Sequence, residues 1–263
     1  MLRKRKKISA EKYYDNWTAH YLNTGYGDII QAHRPPDALE LLNHICKQAD
    51  IADGMKILDA GCGICGPAIY IAQNFNVNIT AITNSAEQVK MAAEKVQVAS
   101  LKGTVEVIRA DFHRLKDYFP EESFDLVLML ESFGHAVDKT SVLKGIAHVL
   151  KKEGRVYIKD YFSKEITGSK SRKKGMKRAI KNMNFHYAYN LADLNHTVKT
   201  LRKLQLDLVY IKKNELKIGN QDFVKEFEEK HNIDLFDGGY HYLFLEPLEL
   251  FFTKPADIDA LIT

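Results

Sequence analysis

The chain reads as one α/β unit, an open parallel sheet with helices on both faces. Three observations predict this. Five short apolar runs (55–60, 77–82, 104–109, 124–130 and 154–160) alternate with segments of helical periodicity, the pattern of parallel strands joined by crossover helices. The first run passes into a glycine-rich turn and then an apolar helix, a strand–loop–helix suited to a nucleotide-type ligand. The length of 263 residues, with 45% hydrophobic and 27% charged residues, suffices for one sizeable domain with a cap.

Residues 1–54 form an N-terminal basic tail and a helical lid. In the aromatic-rich stretch 8–33, Tyr13, Trp17 and Tyr21 recur on one helix face. Pro35-Pro36 ends that stretch, and Asp37 to Ala49 is amphipathic and helical. The main domain spans 55–263. After the first strand a helix runs from Pro67 to Phe75, and 77–82, 104–109 and 124–130 supply the next strands. Residues 141–160 give a helix, a Lys-Glu-Gly turn and the fifth strand. Residues 163–190, with Gly168, Gly175 and a run of basic residues, break the rhythm and are read as a cap inserted after strand five. A helix over 191–204, a strand over 205–212, a helix over 221–231 and a strand over 243–253 complete the order. Pro247 predicts an edge or a bulge in the last strand.

The net charge of +4 is unevenly spread: residues 3–7 carry five basic groups, and 164–181 carry eight against the single acid Glu165. The rest of the chain is net negative, a pattern that suits an anionic partner near the insertion. No apolar run reaches the roughly 18 residues of a membrane span, and no long apolar region follows the basic start, so no secretory signal is expected. Three cysteines (Cys46, Cys62, Cys65) make no disulfide framework, and a cytoplasmic, reducing setting is expected.

Residues 57–66 read Ile-Leu-Asp-Ala-Gly-Cys-Gly-Ile-Cys-Gly. The glycines fall at G-x-G-x-x-G spacing, where positive φ and close backbone approach are wanted. A dinucleotide fold places an acid about 20 residues further on, but the second strand ends in Thr83-Asn84-Ser85. The acid stands before the first glycine, at Asp59, where it suits a ligand bearing an ammonium group. This disfavours a nicotinamide-dependent oxidoreductase. Cys62-Gly63-Ile64-Cys65 lies inside the glycine loop with no second C-x-x-C, so it is read as packing, with neither a redox nor a metal role.

Asp59-x-Gly61-x-Gly63-x-x-Gly66 resembles motif I of the class I S-adenosylmethionine-dependent methyltransferases. Residues 79–91 (Ile-Thr-Ala-Ile-Thr-Asn-Ser-Ala-Glu-Gln-Val-Lys-Met) and 125–138, with Glu131-Ser132 and His135-x-x-Asp138, resemble the branch that holds sterol, tocopherol and other prenyl-lipid C-methyltransferases, and 108–112 (Ile-Arg-Ala-Asp-Phe) resembles the family's adenine site after strand three. The resemblance covers about residues 55–160. It implies a Rossmann-like sheet of seven strands, the last antiparallel, with S-adenosyl-L-methionine as cofactor and no metal. It also implies roles for single residues. Asp59, with Gly61 and Gly63, would hold the methionine end. Thr83, Asn84 and Gln88 would meet the ribose through neutral groups, Asp111 and Phe112 would face the adenine, and Tyr14 and Gln31 would approach from the lid.

Methyl transfer from a sulfonium needs alignment, exclusion of water and a destination for the acceptor's proton. Ligands of open α/β sheets bind at the carboxyl ends of the strands, where the strand assignments place Asp59, Thr83-Asn84, Asp111 and Glu131. Glu131 and His135 are the candidate catalytic residues on the acceptor side. The expected reaction is C-methylation of a prenyl or lipid-like acceptor, lipophilic or amphiphilic and diphosphate-bearing in one version. O- or N-methylation of a natural-product hydroxyl, carboxyl or amine is the alternative. RNA methylation is disfavoured, because no Asn/Asp-Pro-Pro-Tyr follows the fourth strand and no Pro-Cys pair occurs, and no nucleic-acid partner is expected. Peripheral membrane contact, and a monomer or a homodimer, are compatible with these features.

Overall fold

A computed structural model describes residues 8–23, 28–33, 35–164, 168–217, 229 and 245–256. In chain order its elements are α1 (Ala10–Asn23), α2 (Ala38–Gln48), β1 (Lys56–Ala60), α3 (Gly66–Asn74), β2 (Asn78–Thr83), α4 (Ala86–Val98), β3 (Thr104–Arg109), α5 (Leu115–Tyr118), β4 (Phe124–Leu130), α6 (Lys139–Val149), β5 (Leu150–Ser163), α7 (Lys170–His186), β6 (Ala192–Asp193), α8 (Leu194–Lys203), β7 (Asp207–Lys213) and β8 (Leu245–Thr253). Short 3-10 turns, Phe112–Arg114 and Phe133–His135, follow β3 and β4.

The sheet order is β3-β2-β1-β4-β5-β8-β7, with the two-residue β6 paired to the end of β5. Strands β1 to β5 are parallel, and β8 runs antiparallel to both β5 and β7. Chain order reverses between β1 and β4, so a crevice opens above their carboxyl ends. Alternate residues feed two cores. Ile57, Ile79, Leu126 and Leu128 pack towards α2 and α3. Leu58, Ile82, Val127, Met129, Val156 and Ile158 pack towards α6 and α8. Burial on both faces explains why these strands are continuously apolar in sequence.

Side-chain caps set the helix starts. Asp37, Ser85, Asp138, Ser169 and Asp193 each accept a backbone N–H from the first turn of the helix that follows. Several boundaries differ from those read in the sequence. Among the described residues of the aromatic segment the helix spans Ala10–Asn23, and residues 28–33 carry no regular element. Strand five extends to Leu150–Ser163, interrupted at the anticipated turn, where Glu153 has φ +60°. The helix expected over 221–231 lies, Glu229 apart, outside the described residues, as does the basic tail over 3–7. Strand β8 is not at the edge. Pro247 pairs with Tyr161 of β5, and its carbonyl accepts from Asn214 N just past the end of β7 (3.0 Å). The missing proline N–H therefore falls where the neighbouring strand has already ended.

Candidate active site

The carboxyl ends of β1, β2 and β4 converge with residues from α1 and the 28–33 segment on one cleft of about 690 Å³, part of it open to solvent. Asp59, at the end of β1, is buried, and neither of its oxygens finds a hydrogen-bond partner. Burial pushes its carboxyl up to about 7. A bare buried carboxylate is costly unless a cation meets it. Gly61 follows at φ +99°, and a Cβ there would stand 2.4 Å from Ser132 Cβ, so the turn and the end of β4 pack as closely as backbone permits. Ser132 itself donates to the Ala60 carbonyl at 2.6 Å. Gly63 (φ +56°) and Cys62 line the cleft. Contact with Cys65 and burial raise the Cys62 thiol well above its ordinary range, which suits a packing role.

At the end of β2, Thr83 donates its hydroxyl to Gln88 Oε1 at 2.6 Å. Both line the cleft with Asn84, so neutral polar groups stand where a dinucleotide fold puts an acid. Phe112 also lines it. Asp111 does not: its carboxylate caps the turn by accepting from His113 N (2.9 Å) and pairs with His113 Nδ1 (2.6 Å). The bond from His113 holds the Asp111 carboxyl below its usual range. The adenine-side role expected for Asp111 thus meets a carboxylate already turned on its neighbour, and Phe112 alone of that pair faces the cleft.

Glu131 lies in the left-handed region (φ +56°) at the end of β4. It lines the cleft, but its carboxylate is occupied. It accepts from Ala32 N (2.5 Å), His33 N (3.1 Å) and Lys159 Nζ (2.5 Å). Lys159 also donates to Gln31 Oε1 (2.9 Å) and the His33 carbonyl (3.0 Å). These bonds tie residues 31–33 to β4 and β5, with Gln31 in the same knot, and they occupy the carboxylate expected to accept a proton.

His135 closes the other end of the cleft. Nδ1 donates to the Ala188 carbonyl (3.3 Å), so Nε2 is the acceptor and takes a hydrogen bond from the Tyr14 hydroxyl at 2.8 Å. Tyr189 stands edge-on to the imidazole at 4.8 Å and 86°, and donates its hydroxyl to Asp160. Asp160 Oδ2 also accepts from Gly134 N (2.9 Å), and the Gly134 carbonyl accepts from Asn190 N (2.7 Å). Residues 188–190, after the cap helix, therefore grip the turn that carries His135. Sequence reasoning missed Lys159, Asp160 and Tyr189. A Lys-Asp pair ending the apolar run Val156-Tyr157-Ile158 was the available signal for the first two; Tyr189 has none.

Part of the aromatic stripe of α1 packs against residues that follow α7. Tyr13 is buried against Ala188 and Tyr187, and Asp15 accepts from Ser85 Oγ at 2.5 Å, fastening α1 to the start of α4. Of the twelve residues singled out in the sequence, eleven line one cleft, with Asp111 beside it. The bare oxygens of Asp59 beside the glycine turn fit the ammonium of S-adenosylmethionine, and the neutral Thr83–Gln88 edge fits its ribose hydroxyls.

Comparison with known proteins agrees with this geometry. Residues 58–158 match the family described as "Methyltransferase domain". Cycloartenol-C-24-methyltransferase 1 of Oryza sativa subsp. japonica is 34% identical over 147 residues, covering 53% of this chain and 42% of the rice protein. The chain spans less than half the length of the curated relatives it matches first. Among solved structures, the cyclase SpnF superposes with TM-score 0.72 at 16% identity, covering 97% of this chain and 100% of that one. A geranyl diphosphate methyltransferase, solved with geranyl diphosphate and sinefungin, superposes with TM-score 0.71 at 13% identity, covering 93% of this chain and 97% of that one. Identities this low speak for the fold alone. The family match itself covers residues 58–158, with the glycine turn near its start.

Proposed function

We propose that the chain transfers a methyl group from S-adenosylmethionine to a small lipophilic acceptor, with C-methylation of a prenyl or sterol-like molecule as the leading reaction. One observation carries the reading: the bare carboxylate of Asp59 and the Tyr14–His135 pair share a single cleft. The cofactor, when bound, supplies an activated methyl group. Asp59 and the turn at Gly61 and Gly63 would hold its ammonium end, Thr83, Asn84 and Gln88 its ribose, and Phe112 its base. Lid helix α1 and residues 30–31 exclude water from above.

On the acceptor side the chain must hold the substrate and take a proton. His135 Nε2 already accepts a hydrogen bond from Tyr14, so it can receive a proton directly or through the phenol. The Tyr14 ring offers an aromatic face to positive charge developing on a methylated alkene. The same base would serve an O- or N-linked acceptor, the alternative reaction. Among the described residues the cleft is lined by no lysine or arginine. That favours an uncharged acceptor over a diphosphate, whose recognition calls for cations. The relatives named for sterol-type substrates support the lipophilic class.

The test is calorimetry with S-adenosylmethionine, followed by mass spectrometry of sterol and prenyl alcohol acceptors incubated with the protein. Binding together with a product one methylene heavier is expected. Absence of cofactor binding would defeat the reading.

A further inference from the structure

We propose that α7 is a docking face for an anionic lipid surface. From Lys170 to His186 the helix contains no acid. Seven basic side chains, Lys170, Arg172, Lys173, Lys174, Lys177, Arg178 and Lys181, are all exposed. The opposite side of the helix is anchored: Met176, Ala179 and Met183 are buried in a cluster with Tyr189. The basic face is therefore fixed outward.

Its charge is held against local physics. Lys170, Arg172, Lys173 and Lys174 crowd the end of the helix where the macrodipole is positive. Lys170 and Lys174, Lys173 and Lys177, and Lys177 and Lys181 are like-charge pairs four residues apart. Among the described residues, Lys170, Arg172, Lys173, Lys174, Lys177 and Lys181 form no ion pair with a carboxylate. An external anion relieves this repulsion. The substrate cleft does not supply it, because no lysine or arginine among the described residues lines that cleft.

The chemistry of the face selects a lipid surface over nucleic acid. Five of the seven cations are lysines, compact point charges on flexible stems that suit a field of headgroups, and arginine forks for bidentate phosphate recognition are the minority. The exposed positions carry no aromatic ring, which readers of single strands use for stacking. Placement agrees: α7 packs on Tyr189, whose ring stands on His135 at the acceptor end of the cleft. Docking through α7 brings that end towards the phase that holds a lipophilic acceptor. The proposal rests on the lipophilic reading in this last respect only.

The experiment is sedimentation of the full chain with phosphatidylcholine vesicles, with or without about one-third phosphatidylglycerol. It is run in low and high salt without cofactor or acceptor. Binding is expected only with the anionic lipid and is expected to fade as salt shortens the screening length. The triple variant Lys170→Glu, Lys173→Glu, Lys177→Glu should weaken partitioning by at least about tenfold, with unchanged melting temperature and unchanged cofactor affinity. Equal binding to neutral vesicles, or a triple variant that binds like the wild type, overturns the proposal. So does displacement from vesicles by tRNA at matched phosphate concentration, which would assign the face to nucleic acid. Vesicle binding without methylation of any lipid acceptor would sink the acceptor reading alone. Methylation without vesicle binding would sink only the docking face.

Discussion

Lys159 Nζ lies 2.5 Å from Glu131 Oε1, with both side chains buried. The ammonium spends its remaining donors on Gln31 and the His33 carbonyl, and the carboxylate accepts two backbone N–H groups from 32–33. The pair is a fastening between residues 31–33 and the sheet. Glu131→Ala leaves Lys159 buried without its partner, a loss of about 3–5 kcal/mol. The expected outcome is a lowered melting temperature and a weakened cofactor affinity, because Ile30 and Gln31 line the cleft. Thermal melts and calorimetry check this. A variant with wild-type stability and a collapsed kcat would return Glu131 to the role of base.

His135 is the residue whose loss should stop chemistry while sparing binding. His135→Ala is expected to lower kcat by about 10²–10⁴, with cofactor affinity little changed. Tyr14→Phe removes the hydroxyl that bonds Nε2 and should cost less. Because the base must be neutral to accept a proton, the fall in rate at low pH should disappear in the alanine variant. Steady-state pH profiles of both variants decide the point.

Asp59 makes the empty protein sensitive to pH. Its carboxyl is raised from 3.8 to about 7 by burial. Between these values the folded state binds more protons than the unfolded one, so its contribution to stability falls as pH rises from about 4 to about 7. A ligand ammonium reverses the penalty. Cofactor binding should therefore tighten as pH rises through 7, with protons released on binding below it. Asp59→Asn should raise the melting temperature of the ligand-free protein at pH 8 and weaken cofactor binding by tenfold or more, about 1.4 kcal/mol per decade. Calorimetry in buffers of different ionisation enthalpy reads both.

Gly61 admits no side chain. At φ +99°, with Ser132 Cβ 2.4 Å from the position of an added methyl, Gly61→Ala must push the turn away from β4. Cofactor affinity should drop at least tenfold, whereas Gly54→Ala, with open space around it although its φ is also positive, should leave cofactor binding unaffected and cost only backbone strain. Parallel titrations of the two variants separate a loss at the site from a general effect of glycine replacement.

The alternation of apolar runs and helical segments, and the glycine turn after Ile57-Leu58-Asp59, were legible because strand and helix periods are local properties of sequence. Once the strands are parallel, their carboxyl ends share one edge. Asp59, Thr83 and Glu131 then gather without further information. Which partner occupies each of these groups was not legible. Glu131 meets Lys159 at a separation of 28 residues and Ala32 at 99. His135 takes its tautomer from Ala188, which follows the cap helix. Asp111 turned to His113, only two residues away, because a cap and a ring nitrogen were both in reach. Pro247 sits inside the sheet because β7 stops one residue short of it. Short-range pattern dictated the layers and the location of the cleft. The state of each carboxylate in it, bare at Asp59 and saturated at Glu131, was decided by which donors folding brought within about 3 Å.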